Sequence, residues 1–227
     1  PSARFTGFDA DGGFAQQALA AVDFLVELPD EMGDPVSAAP LLCGGVIGHR
    51  ALKLCGVRDG GSLGLFGFGA SAHIVIQLAH QRDLEVYVFT RSPANQELAR
   101  QLGAAWAGGS DAAPRILLDA AISFTPSGAS LRAALERVNR GGVVACAGIY
   151  TDAIPTLDYD RHLYHEKVLR SVANATRQDA RELLLAATRA GVRTQVESFE
   201  LEQANLALQR LKTSSLRGAA AVLRIAS

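Results

Sequence analysis

The stretch that most constrains the fold is Ser62–Ser92. It opens with a short apolar run, Ser62-Leu63-Gly64-Leu65-Phe66, and turns through Gly67-Phe68-Gly69-Ala70-Ser71-Ala72. It continues as His73-Ile74-Val75-Ile76-Gln77-Leu78-Ala79, with apolar residues at helical spacing, and reaches a second apolar run, Glu85-Val86-Tyr87-Val88-Phe89. Strand, glycine turn, helix and strand in that order make one βαβ unit.

The turn reads G-x-G-x-x-A, the dinucleotide-binding fingerprint with alanine in the third place. Gly67 lets the chain leave the strand tightly. Gly69 has no Cβ, so a pyrophosphate can approach the backbone, and Ala72 is small enough for the helix to pack on the strand. The helix then directs its first N–H groups, from Ala70, Ser71 and the residues around them, at the phosphates. Glycine turns also serve as plain connectors; here the flanking strand, helix and strand are all present, as the motif requires. The whole turn, Gly67, Phe68, Gly69, Ala70, Ser71 and Ala72, is therefore a candidate cofactor site. At the end of the second strand, where NAD-specific folds place Asp or Glu against the ribose hydroxyls, stands Thr90-Arg91-Ser92. No carboxylate there repels a 2′-phosphate, while a guanidinium and two hydroxyls can hold one. That favours NADP(H) over NAD(H); the alternative is a solvated Arg91 at a loop tip.

Strands and helices alternate on both sides of this unit. Asp34-Pro35 opens a helical pattern through Cys43, with Asp34 as N-cap, and a second runs from Ile47 to Leu54. After the βαβ unit come a helix at Asn95–Leu102 and a short strand near Ala105-Trp106-Ala107. A buried-type strand at Arg115–Ile122, a helix at Leu131–Val138 stopped by Gly141-Gly142, and a buried strand at Val143–Ala147 follow. Continuous apolar strands between helices indicate an α/β fold, a Rossmann-type parallel sheet with helices on both faces. Tyr159–Glu166 reads as a helix, Val168–Val172 as a strand, Arg177–Ala190 as a helix, Val196–Phe199 as a strand, Leu201–Leu211 as a helix and Ala220–Ile225 as a last strand. Residues 5–30, with Gly7, Gly12 and Gly13, read instead as short strands with glycine turns, the tail of a β-rich unit.

The 227 residues are 48% hydrophobic and 20% charged with net charge −1, which offers no electrostatic reason to propose nucleic acid or an acidic membrane surface as partner. No apolar stretch reaches membrane-span length and no signal peptide opens the chain. Three cysteines without a CxxC pair suggest a reducing compartment, the cytoplasm.

These residues together resemble the zinc-dependent medium-chain alcohol dehydrogenases. Phe5-Thr6-Gly7 with Asp11-Gly12-Gly13-Phe14-Ala15-Gln16 is similar to the family's GG-aromatic-A-E/Q strand, and Ala38-Ala39-Pro40-Leu41-Leu42-Cys43-Gly44-Gly45 to its AAPLLCAG segment, followed by Arg50-Ala51-Leu52. The glycine turn follows at the family's usual distance, and Arg177–Leu211 matches its closing segment. The resemblance implies remnants of a GroES-like β-rich catalytic domain at 1–33, a Rossmann domain at 34–175 and a returning segment at 176–227. It implies a C-terminal fragment of such an enzyme. Its activity would be hydride transfer between a small alcohol or aldehyde and NADP(H), with a zinc ion polarising the substrate oxygen. Cys43 matches one zinc ligand of the family; the others match nothing here, so the intact protein is expected to carry catalytic zinc and this chain not to retain it. The strand ends at Ala120–Phe124 and at Ala147, Gly148 and Ile149 are expected to line the nicotinamide pocket. A homo-oligomer fits the same reading.

Other residues read as structural. Cys55 and Cys146 sit in apolar runs, His73 packs or faces solvent, and His49 stands where the family usually has tyrosine, which leaves the proton relay unassigned. Ile47 stands where many members have threonine. Two other readings remain open at this point: a zinc-free quinone-reductase-like oxidoreductase and a non-catalytic nucleotide-binding module.

Overall fold

Strands too apolar to face water on either side set the architecture. In the computed structural model, which describes residues 4–112, 114–213, 215–216 and 220–225, the strands are β1 (Ser62–Phe66), β2 (Glu85–Phe89), β3 (Trp106–Gly108), β4 (Leu118–Ser123), β5 (Val138–Cys146), β6 (Val168–Ser171), β7 (Val196–Glu200) and β8 (Ala220–Arg224). The α-helices are α1 (Pro35–Ala38), α2 (Gly44–Leu54), α3 (Ala70–His80), α4 (Pro93–Gln101), α5 (Gly128–Arg137), α6 (Tyr159–His162), α7 (Arg177–Ala190) and α8 (Ala204–Lys212). The chain divides into two compact units, Pro1–Pro40 with Arg193–Ser227, and Leu41–Val192.

In the Leu41–Val192 unit six strands form one parallel sheet in the order β3-β2-β1-β4-β5-β6. This is the doubly wound order, which reverses direction between β1 and β4 and opens a crevice at the carboxyl ends of those strands. Leu63, Leu65, Val86, Val88, Ala120 and Ile122 are fully buried, because helices cover both faces. On one face α5 packs Leu131, Ala134 and Leu135 against Phe66, Phe89, Leu118 and Val144. The Phe66 and Phe89 rings stack with centroids 4.2 Å apart. On the other face lies α3, buried nearly all round through Ala72, His73, Ile74, Val75, Ile76, Leu78 and Ala79, as a helix sandwiched between sheet and helices must be.

Helix α2 can lie against α3 because it carries glycines four apart. A Cβ on Gly48 would stand 2.6 Å from Val75 Cγ2, and one on Gly44 would stand 3.4 Å from Ser71 Oγ. Gly45 faces the other way, where a Cβ would stand 3.0 Å from Leu183 Cδ2 of α7. The α2–α7 contact is completed by charge. Asp179 is fully buried and accepts from Arg50 Nη1 at 2.6 Å and Lys53 Nζ at 3.2 Å, while closing a capping box with Thr176 at the start of α7. Helix α7 thus belongs with the sheet-containing unit, and residues 34–40 with the other.

In the Pro1–Pro40 and Arg193–Ser227 unit, β7 and β8 pair in parallel with α8 between them. Asp34 caps α1 as expected, accepting from Val36 N at 3.1 Å. Residues 5–30 differ from the expected strands. Among the described residues there is only an isolated bridge, Thr6 to Ala10, and 3-10 turns at Val22–Phe24 and Asp30–Met32. Alternating strand-like sequence forms no ladder without a partner, and Phe8, Phe14, Leu19 and Val22 stay exposed.

Element boundaries move elsewhere as well. The helix expected to run to Val138 ends at Arg137, and Gly141-Gly142 lies inside β5, where the register to β4 jumps from Leu118–Val138 to Ala120–Val143. Gly141 takes φ +71° there, so the pair makes an outward loop in a strand instead of a helix stop. The helix expected over Tyr159–Glu166 ends at His162. No helix among the described residues is long and apolar enough to cross a membrane.

Candidate functional site

The turn between β1 and α3 has the geometry its composition foretells. Gly67 sits at φ +87°, a conformation that L side chains rarely adopt, and a Cβ on it would stand 2.9 Å from Thr125 Cγ2. Its N–H donates to Phe89 O at 2.8 Å, tying the turn to the end of β2. Phe68 and Ala72 are buried beneath the turn. Gly69 is the N-cap of α3, and no side chain caps the helix. A Cβ on Gly69 would meet nothing within 4 Å, so the turn is open on that side to a group as large as a phosphate. Ala70 and Ser71 form the first turn, where backbone N–H groups and the positive dipole end favour an anion.

Beside this turn, at the carboxyl edge of the sheet, lies a cavity of about 910 Å³. Its floor includes Phe66, Gly67 and Phe89, and its rim carries Thr90, Arg91 and Ser92 from the end of β2. Ser110, Thr125, Ser127 and Ser130 add hydroxyls, and neither aspartate nor glutamate lines it. The rim is braced from behind: Thr90 N donates to Gly108 O at 2.9 Å, Gln96 Nε2 donates to Thr90 O at 2.8 Å, and Ser92 Oγ caps α4 by accepting from Asn95 N at 3.4 Å. Arg137 spans the back of the cavity wall. Its guanidinium lies 5.4 Å from the centre of the Phe89 ring and donates to Ser110 O at 2.8 Å. A pocket with an aromatic floor, a hydroxyl rim, one exposed cation and no anion suits a phosphorylated nucleoside.

The structure thus brings Gly67, Thr90, Arg91 and Ser92 to one cavity, with Phe68 and Ala72 behind the turn. The end of β5 lies along the same sheet edge. Ala147 is buried and its N–H donates to Ser123 O at 2.9 Å; Gly148 packs against Thr125 O; Ile149 is exposed. These three residues do not line the cavity.

Cys43 is exposed at the N-terminus of α2, and no group of three or more His, Cys, Asp or Glu able to hold a metal occurs among the described residues. A catalytic zinc needs three protein ligands, so these residues do not fit a zinc ion. His49 stands away from the cavity, 3.6 Å from Glu182 Oε2 between α2 and α7. His73 is buried within α3, so of its two expected environments it takes the packed one. Cys55 is buried, which pushes its thiol pKa up and suits a core residue. Cys146 is half-buried, with Sγ 3.9 Å from Thr151 Oγ1.

Three features that shape the fold around the site were not singled out from the sequence. The spacing Gly44-x-x-x-Gly48 carries the close approach of α2 to α3, and Thr176-x-x-Asp179 is a readable capping box. Asp152, which reaches across to Gly128, has no sequence signal, because its partner lies 24 residues away.

The family model described as "Zinc-binding dehydrogenase" matches residues 72–189. A Mycobacterium tuberculosis protein described as "Probable alcohol dehydrogenase AdhA" is 43% identical over 223 residues, covering 98% of this chain and 64% of its own length. An alcohol dehydrogenase from Geobacillus stearothermophilus is 33% identical over 220 residues, covering 93% of this chain and 64% of its own length. This chain therefore spans 64% of the length of these relatives. Among solved structures, an acetophenone reductase from Geotrichum candidum in complex with NAD superposes with a TM-score of 0.83 at 22% identity, covering 94% of this chain and 63% of that one. At that identity the likeness is one of fold.

Proposed function

Because this chain belongs to the zinc-binding dehydrogenase family, we propose that it serves an alcohol dehydrogenase, with its Leu41–Val192 unit holding NADP(H). The observation that carries this reading is the joint geometry of the turn and the rim: a glycine turn opening onto the N-terminus of α3, next to a hydroxyl-rich cavity whose rim bears Arg91 and no carboxylate. The α3 N-terminus holds the pyrophosphate, Phe66, Phe89 and the loop Thr125–Ser130 enclose the adenosine, and Arg91 with Thr90 and Ser92 faces the ribose 2′-phosphate. From there the dinucleotide runs along the sheet edge past Gly67, so that its nicotinamide end meets Ala147–Ile149.

When bound, the nicotinamide supplies the hydride exchange between an alcohol and its aldehyde. The residues of this chain bind and orient it. The buried Ala147 and the Gly148 backbone, pressed on Thr125, give the nicotinamide end a rigid wall, and positioning of this kind is a large part of the rate in such transfers. Among the described residues Cys43 belongs to no group of three or more metal donors. Small alcohols or aldehydes are the substrate class, by analogy with the relatives. The test is titration with NADPH. The wild-type chain is expected to bind it, and Gly69→Val, which sets a branched side chain on the open face of the turn, is expected to lose most of the affinity while keeping its melting temperature. Unchanged affinity in Gly69→Val would reduce the turn to a connector.

A further inference from the structure

One wall of the cavity has no core of its own. Between β3 and β4 the chain makes a 3-10 turn, Ser110–Ala112, in which no residue is buried, and Ser110 lines the cavity. Ala112 N donates to Gly109 O at 3.1 Å and Ile116 N to Pro114 O at 2.9 Å, both within the segment that joins the two strands. Among the described residues, the hydrogen bonds that tie the turn and Pro114 to a different element come from one side chain. Arg137 Nη2 donates to Ser110 O at 2.8 Å, and Nη1 donates to Pro114 O at 3.4 Å. A segment with few buried contacts and a solvent-facing backbone opens at low cost, so the place of this wall depends on that guanidinium.

The clamp stands on a rigid base. Arg137 is the last residue of α5, and Leu131, Ala134 and Leu135 of that helix are buried in the core. Arginines in the last turn of a helix can bond that helix's own final carbonyls; Arg137 reaches across to two carbonyls of the wall and pairs with no carboxylate among the described residues. Its guanidinium also lies 5.4 Å from the centre of the Phe89 ring, within cation–π range. Phe89 belongs to the cavity floor and is stacked on Phe66. One side chain thus touches the floor at Phe89 and the wall at Ser110, without lining the cavity itself.

We propose that Arg137 is a positioning residue for the adenosine half of the nucleotide: it clamps the Ser110–Ala112 turn to α5 and so holds that wall of the cavity in place before the nucleotide arrives. The inference rests on the nucleotide-binding reading above. A wall that is in place only part of the time weakens binding by that fraction. Loss of the clamp is therefore expressed in affinity and in local opening of the turn. A purely structural arginine would lower global stability and leave affinity alone.

The test uses the whole chain and two readouts: calorimetric titration with NADPH and with 5′-AMP, and the rate of trypsin cleavage after Arg115, an exposed arginine just past the turn. Arg137→Ala is expected to raise both dissociation constants about tenfold, as for a wall in place about a tenth of the time. Cleavage after Arg115 is expected to quicken at least about fivefold, and saturating 5′-AMP to slow it again. Arg137→Met keeps the apolar stem and drops the donors; it carries the same expectations, and decides if the alanine variant does not fold. Arg137→Lys restores one donor and is expected to bind only about threefold more weakly than wild type. Arg140→Ala removes the same charge from an exposed position in β5 and is expected to stay within about twofold of wild type in both readouts. Wild-type affinity in Arg137→Met would overturn the proposal while leaving nucleotide binding standing. So would weakened affinity with cleavage after Arg115 unchanged, or an equal loss in Arg140→Ala, since either would make the effect one of charge alone. A wild-type chain that binds neither NADPH nor 5′-AMP would remove the nucleotide reading, and this proposal with it.

Discussion

Replacing Gly48 by alanine sets two effects of known size against each other. Alanine is the better helix former by about 1 kcal/mol in a helix interior, so on an exposed face the change would stabilise. Gly48 is buried against α3, and its Cβ would stand 2.6 Å from Val75 Cγ2 and 3.3 Å from Ser71 O. Carbon atoms are at their optimum at about 3.5–4.0 Å, so α2 and α3 must part by about 1 Å. Val75 is fully buried and β-branched, with one strongly preferred rotamer in a helix, so it does not swing aside. Overpacking of this kind costs about 1–3 kcal/mol; with Val75 locked in place the upper part of that range, about 2–3 kcal/mol, applies, and after the propensity gain the net loss is about 1–2 kcal/mol. For a chain of this size that lowers the melting temperature by about 2–8 °C. Gly44→Ala is the control: its Cβ would meet Ser71 Oγ at 3.4 Å and Ala70 Cβ at 3.5 Å, ordinary contact, so stability is expected within about 0.5 kcal/mol of wild type. Because Ser71 lies in the first turn of α3, Gly48→Ala is also expected to weaken NADPH binding. Thermal and urea denaturation of both variants check this. A Gly48→Ala protein as stable as wild type, or two variants that behave alike, would refute the view that glycine spacing sets the distance between these helices.

Asp179→Ala is expected to cost about 3 kcal/mol, read by urea denaturation, because it strands Arg50 in a half-buried site and opens the cap of α7. Burial by itself works to raise the pKa of Asp179, but the Thr176 hydroxyl and amide, Arg50 and Lys53 outweigh it and hold the carboxyl far below the usual range. Its stabilising contribution is therefore complete above the ordinary aspartate value of about 3.9 and is lost as pH falls below it; wild type is expected to lose stability more steeply below that pH than Asp179→Asn. Zinc added to this chain is expected to bind weakly and to support no alcohol oxidation with NADP, since Cys43 belongs to no group of three or more donors among the described residues and a catalytic zinc needs three protein ligands; zinc-dependent turnover with wild type, abolished in Cys43→Ser, would contradict that.

Residues whose role is local were legible in the sequence. Strands β1 and β2 fall where the apolar runs place them, and Gly67 takes the positive φ that its place in the turn requires. Asp34 caps its helix, and Thr90-Arg91-Ser92 arrives at the cavity rim because the strand before it ends on time. What depends on distant partners was not legible. Residues 5–30 have strand-like composition, but no neighbouring strand pairs with them among the described residues. Gly141-Gly142 reads as a helix stop until β4 supplies the register that makes it a loop within β5. Asp152 and Asp179 look like surface carboxylates, and only the tertiary structure brings Gly128 to one and Arg50 to the other.

The claim on which the account turns is that the rim at Thr90-Arg91-Ser92 receives a 2′-phosphate. The direct measurement is the ratio of NADH to NADPH dissociation constants by calorimetry, at one salt concentration, for wild type and Arg91→Asp. A charge-assisted phosphate contact is worth about 1.5–3 kcal/mol, so wild type is expected to prefer NADPH by at least about tenfold, and Arg91→Asp to abolish or reverse the preference. Equal affinities for the two cofactors in wild type, or a preference that survives Arg91→Asp, would contradict it.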